Sequence, residues 1–188
     1  MINNVEIMGI ASSIKACKYP FATDTESCNE QMTERVLRLG WSEKGSGHDQ
    51  FLTGIRVNFD LTFSLKAWAE AERYHFFDFV SSQSTMHTIR RFDVEKQCNE
   101  WVLPEIIEMV KGLAKAYNDD PSEENFLRLI YNIPTGFRLT ARMTTNYRQL
   151  KTMHSQRKNH RLPEWREFCK WVETLPYFKE LCVGVEDE

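Results

Sequence analysis

Cysteine is scarce and scattered in this sequence, and no CxxC pair is present. The five cysteines lie far apart along the 188 residues, and their number is odd. These features argue against a disulfide framework and a zinc site, and they favour reduced thiols in a cytoplasmic setting. The histidines are not spaced with cysteines or carboxylates as metal ligands are. We therefore expect no metal.

Long apolar runs and glycine-rich phosphate loops are also missing. No stretch approaches eighteen uninterrupted apolar residues, and no basic region followed by an apolar run opens the sequence. We expect neither a membrane span nor a secretory signal. No segment matches GxGxxG or the P-loop pattern, which leaves Rossmann and P-loop chemistry unsupported. A net charge of −3 argues against specific nucleic-acid binding.

The composition is that of an ordinary globular protein. Hydrophobic residues make up 41% and charged residues 27% of the chain, and a chain of this length buries a sizeable core without staples. We expect one domain over residues 1–188. The aromatic content of 12% favours a well-packed core or a large subunit interface.

One strand is predicted strongly by alternation. From Ile55 to Leu65, apolar and polar residues alternate without a break, which places six apolar side chains on one sheet face. Weaker strand patterns are Val5–Ala11 and Phe137–Met143. A loop is expected at the glycine-rich segment Gly40–Asp49.

Helices dominate the remainder. The predicted helices are Glu26–Leu39 with Gly40 as C-cap, Ala67–Val80, Val94–Leu103, Glu105–Tyr117 after Pro104, one capped by Asp120, Asn146–Lys158 capped by Thr144 or Thr145, and Pro163–Leu175. The strands do not alternate regularly with these helices. The pattern therefore predicts an α+β fold in which an antiparallel or mixed sheet is flanked by helices.

The segment Ile133–Trp171 concentrates the positive charge and includes Arg148, Arg157 and Arg161. Spacings of four, three and four put four residues on one face of the predicted helix: Asn146, Leu150, Met153 and Arg157. Guanidinium groups suit phosphate, and an amide suits a base or sugar edge. Two interpretations stay open: a ligand site, or a solvated helix face with weak surface ion pairs.

The order of Pro134, the run Asn146-Tyr147-Arg148-Gln149-Leu150, Arg157 and then Trp165 resembles the C-terminal signature of flavin-dependent thymidylate synthases. The resemblance covers residues 48–175. It implies that Asn146 and Arg148 lie near a flavin and that Arg157 holds a nucleotide. It also implies FAD as cofactor, folate and NADPH as co-substrates of an enzyme, and a homotetramer with shared sites.

The family's motif Arg-His-Arg-x-x-Ser-x-Asn-Glu-x-Ser-x-Arg-Tyr is not present in its usual form. With Ser84 placed on its second serine, His75 falls on its histidine, while Tyr74 and Phe76 replace the two arginines. Neither replacement supplies a cation. Six residues of this region are candidate ligand contacts: His75, Ser81, Ser82, Gln83, Ser84 and His87. The alternatives are a core histidine at 75 and a capped helix end at 81–84.

Three functions remain open at this point. The first is a flavin-dependent enzyme that transfers a one-carbon unit to dUMP or a related pyrimidine nucleotide. The second is a catalytically inactive protein of the same fold, such as a phage protein that sequesters a nucleotide signal in the host cytoplasm. The third is a structural protein whose aromatic residues form an oligomer interface. The first two predict that Arg157→Ala weakens nucleotide binding and leaves the fold intact.

Overall fold

Four strands form one sheet in the part of the chain that the computed structural model describes, residues 2–43 and 45–184. They are β1 (Ile2–Met8), β2 (Arg56–Ser64), β3 (Asp78–Ser82) and β4 (Arg138–Asn146). The order across the sheet is β1-β2-β4-β3, so β1 and β3 are its edges. The sheet is antiparallel and flanked by helices, which confirms the predicted α+β class.

The α-helices of the described residues are mostly short. They are α1 (Ile10–Ala16), α2 (Glu34–Trp41), α3 (Leu65–Ala71), α4 (Thr85–Thr88), α5 (Val94–Gln97), α6 (Pro104–Asp119), α7 (Glu123–Tyr131), α8 (Tyr147–Arg157) and α9 (Pro163–Val172). Pro104 stands in the first turn of α6, as predicted. A π-helical turn follows at Lys179–Val183. None of the helices described within 2–43 and 45–184 has the length and apolarity to cross a membrane.

The chain divides into two compact units. The central unit comprises residues 60–73 and 79–142, and the terminal unit comprises residues 2–59 and 74–78 with the described residues from 143 onward. The prediction of a single domain over 1–188 stays a prediction. The central unit packs around a buried cluster from its helical segments and the Cys98–Phe137 bridge: Ile89, Val94, Cys98, Val110, Leu129 and Phe137.

The terminal unit packs α9 against the apolar face of β2. Val57 and Phe59 are fully buried, and the Phe59 ring centroid lies 6.1 Å from that of Phe168 and 4.7 Å from that of Trp171. The predicted apolar face of α9 is buried at four positions: Trp165, Phe168, Cys169 and Val172. The alternating pattern of β2 and the stripe of α9 were both read correctly from the sequence.

The predicted helix Ala67–Val80 is wrong beyond its first turns. Helix α3 ends at Ala71, and residues from Asp78 onward form edge strand β3. Hydrogen bonds to β4 override the helix propensity of this segment, because a neighbouring strand satisfies its backbone groups. The strand predicted at Val5–Ala11 is shifted to Ile2–Met8, since Gly9 takes a left-handed φ of 83° and α1 follows.

The predicted helix Glu26–Leu39 begins late, at Glu34. The ammonium of Lys18 accounts for this, because its Nζ donates to the backbone carbonyls of Asn29 and Gln31 at 2.8 and 2.9 Å. These bonds stabilise the non-helical conformation of residues 28–33. Gly40 lies within α2 and is not its C-cap. A Cβ at this position would come 2.2 Å from the carbonyl oxygen of Leu181.

Several other boundaries also differ from the prediction. The helix predicted at Val94–Leu103 ends at Gln97, since Cys98 is extended and forms a bridge with Phe137. Ser122, not Asp120, caps α7 by accepting the Asn125 N–H. The predicted loop Gly40–Asp49 begins instead at Ser42, after α2, and its position 44 lies outside the described residues.

Candidate functional site

Asn146 is the N-cap of α8. Its Oδ1 accepts the backbone N–H of Gln149 at 2.9 Å, and its own backbone is extended. This corrects two expectations: neither Thr144 nor Thr145 caps the helix, and Asn146 lies before the first turn, not on the helical face with Arg157. The amide oxygen is used in capping, so the amide NH₂ is the part of this side chain that remains for other contacts.

Arg157 ends α8 as a buried cation, with 7% of its surface exposed. Its Nε donates to Tyr74 Oη at 2.6 Å, and its Nη1 lies 2.7 Å from Nε2 of His160. The guanidinium carbon lies 4.9 Å from the Trp165 ring centroid and 5.4 Å from that of Tyr74. Tyr74 is itself held, because its hydroxyl donates to Gln156 Oε1 at 3.0 Å. The guanidinium is therefore fixed among protein groups.

Arg148 takes part in a second internal network. Its Nε donates to Asp49 Oδ1 at 2.9 Å and its Nη1 to Gln50 Oε1 at 2.7 Å. Lys151 donates to Asp49 Oδ2 at 3.0 Å and to the carbonyls of Gly40 and Ser42 at 2.7 and 2.9 Å. Asp49 is only 3% exposed. We call Asp49, Arg148 and Lys151 the Asp49 cluster; it fastens α8 to the segment before β2.

Arg161 is the exposed cation of the predicted C-terminal set. Its carbonyl accepts Arg166 Nη1 at 2.9 Å, and the same nitrogen donates to the His160 carbonyl at 2.6 Å. Arg166 therefore orders the turn after α8 and leaves the Arg161 side chain at the surface. Of the predicted contacts Asn146, Arg148, Arg157 and Arg161, this guanidinium is the most accessible to a ligand.

His75 lies in the turn that follows α3, where its side chain is exposed. The core-histidine interpretation is therefore wrong. The next residue, Phe76, has a left-handed φ of 62° and a side chain that is 66% exposed. Two contacts hold this backbone: the Thr145 hydroxyl donates to the Phe76 carbonyl at 2.7 Å, and the buried Phe77 ring packs 6.1 Å from that of Phe59. A left-handed phenylalanine is strained, and strain of this kind is common at ligand sites.

The other predicted contacts lie in the central unit. Ser81 and Ser82 belong to strand β3, so they do not end a helix, and both are exposed. Gln83 extends the pairing with β4: its N–H donates to the Thr140 carbonyl at 2.9 Å and its Oε1 accepts the Thr140 N–H at 2.8 Å. The Ser84 carbonyl accepts the Thr88 hydroxyl. His87 is exposed in α4.

Near α8 and α9, a buried histidine pairs with a carboxylate, and a buried cysteine is unreactive. Buried His154 places Nε2 2.7 Å from Glu173 Oε1, and this hydrogen bond lowers the pKa of Glu173. Burial raises the pKa of the Cys169 thiol to about 12, so this cysteine is not a nucleophile at neutral pH. Among the described residues, no group of three or more histidines, cysteines and carboxylates could hold a metal ion.

Comparison with solved structures decides the fold. The flavin-dependent thymidylate synthase ThyX from Helicobacter pylori, complexed with FAD and dUMP, superposes with a TM-score of 0.76 over 99% of this chain and 98% of that chain, at 16% identity. The chain has the ThyX fold. A second H. pylori ThyX structure, also with FAD and dUMP, gives a TM-score of 0.75 at 17% identity, with 98% of each chain covered.

The ThyX fold was expected from the sequence, and the structural likeness confirms that expectation. No protein-family model matches the sequence, and no curated protein matches it. The ThyX likeness therefore lies in the backbone, with few shared residues. Sequence reasoning missed Asp49, which holds Arg148 and Lys151, and it missed Tyr74 and His160 as partners of Arg157. Asp49 lies 102 positions from Lys151 and Tyr74 lies 83 from Arg157, and no local pattern marks such pairs.

Proposed function

We propose that this chain is a ThyX-like protein that binds a pyrimidine nucleotide similar to dUMP. The observation that carries the proposal is the near-complete overlap of its fold with a ThyX solved with FAD and dUMP. The residues after α8 add chemical support, since Arg161 presents an exposed guanidinium, and that group suits a phosphate. Arg157 supports the turn by holding Tyr74 and His160.

The residues around His75 fit FAD poorly. The FAD diphosphate carries negative charge and needs cations or several N–H donors. Tyr74 and Phe76 supply no positive charge, and the Tyr74 hydroxyl is already bonded to Arg157 and Gln156. Arg148 is paired with the buried Asp49. We therefore favour nucleotide binding without flavin chemistry and derive no catalytic step.

Nucleotide binding is tested by titrating the purified protein with dUMP in a calorimeter. We expect Arg161→Gln to weaken dUMP affinity by about fivefold or more, because one charge-assisted contact contributes roughly 1.5–3 kcal/mol. Arg56→Gln is the matched control, since Arg56 is an exposed arginine of the same unit. Its affinity should stay within about twofold of the wild type.

Three outcomes separate the alternatives. Binding of dUMP that depends on Arg161 supports the proposal. Flavin absorbance in the purified protein would favour the enzyme in place of the binding protein. A colourless protein that binds neither dUMP nor other pyrimidine nucleotides would overturn the proposal and leave the structural role.

We also propose that the protein is a homo-oligomer, with β3 at a contact between copies. Strand β3 lies at a sheet edge, and all five of its residues are exposed. Phe79 and Val80 are 48% and 62% exposed, and neither lysine nor proline is present in the strand. Proteins rarely leave such an edge uncovered, because unpaired backbone groups and apolar side chains promote association. A tetramer is the expected assembly.

Light scattering after size exclusion tests this contact. Val80→Lys should reduce the mass of the assembly, because a charge would then be buried at the interface. Val5→Lys, in the opposite edge strand β1, is the control, and we expect it to leave the mass unchanged. A wild type that runs as a monomer at all concentrations would remove the proposed interface.

A further inference from the structure

A pocket of about 380 Å³ lies between α2 and the segment that joins α1 to α2, apart from every predicted contact residue. We call it the α1–α2 pocket. Among the described residues its lining comprises Cys17, Lys18, Phe21, Ala22, Ser27, Cys28, Asn29, Gln31, Thr33, Arg35, Val36 and Leu39. All of them belong to the terminal unit. The volume falls within the range of small-molecule sites.

The charge of this pocket is positive. Lys18 and Arg35 line it, and none of its described lining residues is a carboxylate. Lys18 is structural, because its Nζ donates to Asn29 Oδ1 at 2.6 Å and to the Asn29 and Gln31 carbonyls. An ammonium has three N–H groups, so these acceptors occupy all of them. Lys18 thus shapes the wall and adds charge without contacting a ligand.

Arg35 is the cation that a ligand can reach. Its guanidinium carbon lies 3.6 Å from the centroid of the Phe21 ring. Within the described part of the chain its nitrogens have no hydrogen bond or ion pair, and the residue is exposed. Stacking on an aromatic ring holds the planar group in place while its N–H edge stays open to a carboxylate or phosphate.

The rest of the lining suits an organic molecule. Val36 is buried and Leu39 half-buried on the α2 side, and Ala22 is half-buried in the joining segment. Thr33 caps α2 by accepting the Val36 N–H, which leaves its hydroxyl hydrogen as a donor. The pocket therefore combines one accessible cation, polar groups and an apolar wall, as ligand sites commonly do.

We propose that the α1–α2 pocket binds a small organic anion, whose phosphate or carboxylate group contacts Arg35 and whose carbon skeleton lies against Phe21 and Leu39. This site is independent of the nucleotide site proposed above. Phosphate and carboxylate share the chemistry that a guanidinium recognises. The experiment must therefore distinguish a phosphate ligand from a carboxylate ligand.

Cys28 provides the readout. It is a half-buried thiol of the pocket wall, whereas Cys17 is buried and burial raises its pKa. Alkylation of Cys28 by iodoacetamide is followed by mass spectrometry with 10 mM ribose 5-phosphate, inorganic phosphate or citrate. We expect one of the organic anions to slow Cys28 alkylation by about fivefold or more, as occupancy predicts when the ligand exceeds its Kd several times. Burial raises the pKa of the Cys182 thiol, so a cysteine-containing peptide added to the same reaction is the reference for the reagent.

Two variants of α2 decide the result. Arg35→Gln should abolish the protection, while Arg38→Gln should retain it, because Arg38 is exposed on the same helix and pairs with Glu34 outside the pocket lining. Protection by ribose 5-phosphate alone assigns a phosphate ligand, and protection by citrate alone a carboxylate. The proposal is overturned if neither compound slows alkylation, if inorganic phosphate protects equally, or if Arg35→Gln remains protected. Loss of dUMP binding in Arg161→Gln with Cys28 protection unchanged would show that the two sites are separate.

Discussion

Replacing Asp49 by alanine is expected to lower the free energy of unfolding by roughly 3–5 kcal/mol, the loss typical of a broken buried ion pair. Asp49 is the only carboxylate of the Asp49 cluster, and it accepts from both Arg148 and Lys151. Lys151 would stay largely buried, with 17% of its side chain exposed and no counter-charge in the cluster. An uncompensated ammonium in that position is strongly unfavourable.

Urea denaturation at pH 7 measures this loss. Glu34→Gln is the control, since it removes an ion pair with Arg38 in which both side chains are more than 70% exposed. Surface pairs contribute roughly 0–1 kcal/mol, so the control should stay close to the wild type. An Asp49→Ala protein as stable as the Glu34→Gln protein would mean that the cluster does not hold α8 in place.

Arg157→Ala is expected to destabilise the protein by roughly 2–4 kcal/mol, through lost charge-assisted hydrogen bonds and a cavity beside Trp165. From the sequence alone, we expected this substitution to leave the fold intact. The structure leads us to expect a loss of stability, because Arg157 is 7% exposed, bonds Tyr74 and lies against His160. Weaker nucleotide binding in this variant would therefore reflect a displaced turn as well as a lost cation.

Two further variants test whether the Arg157 guanidinium stabilises the fold. Lys158→Ala changes the neighbouring exposed cation and should alter stability by less than about 0.5 kcal/mol. Arg157→Lys keeps the charge but loses the planar fork, so we expect a stability between those of Arg157→Ala and the wild type. Thermal and urea unfolding of the four proteins give the order. Equal stability of Arg157→Ala and the wild type would contradict the structural role of this guanidinium.

Local patterns predicted the parts of the fold that depend on local chemistry. Alternation identified β2, and a helical apolar stripe identified α9, since both elements bury one face against a core. Pro104 marked the start of α6 because its fixed φ and missing N–H suit the first helical turn. The ThyX-like fold followed from the order of these elements together with the Asn146 to Arg157 segment.

Local sequence patterns could not predict contacts between residues far apart in the chain. The sequence Ala67–Val80 has good helix formers, and pairing with β4 places its last residues, from Asp78 onward, in strand β3. Asp49 appeared as a loop residue, although it is the buried partner of Arg148. The same limit explains why arginines predicted to face a ligand proved to be bonded within the protein. Arg161, exposed after α8, was the candidate that sequence placed in a cationic segment and the structure leaves accessible.

The left-handed backbone of Phe76 has a consequence for protein engineering. Strain of this kind costs about 1–3 kcal/mol, whereas glycine adopts the same torsion freely. A mutant library selected only for heat tolerance would thus enrich glycine at position 76 and discard a ring that is 66% exposed. A parallel selection for retained ligand affinity would show whether the exposed Phe76 ring contributes to binding.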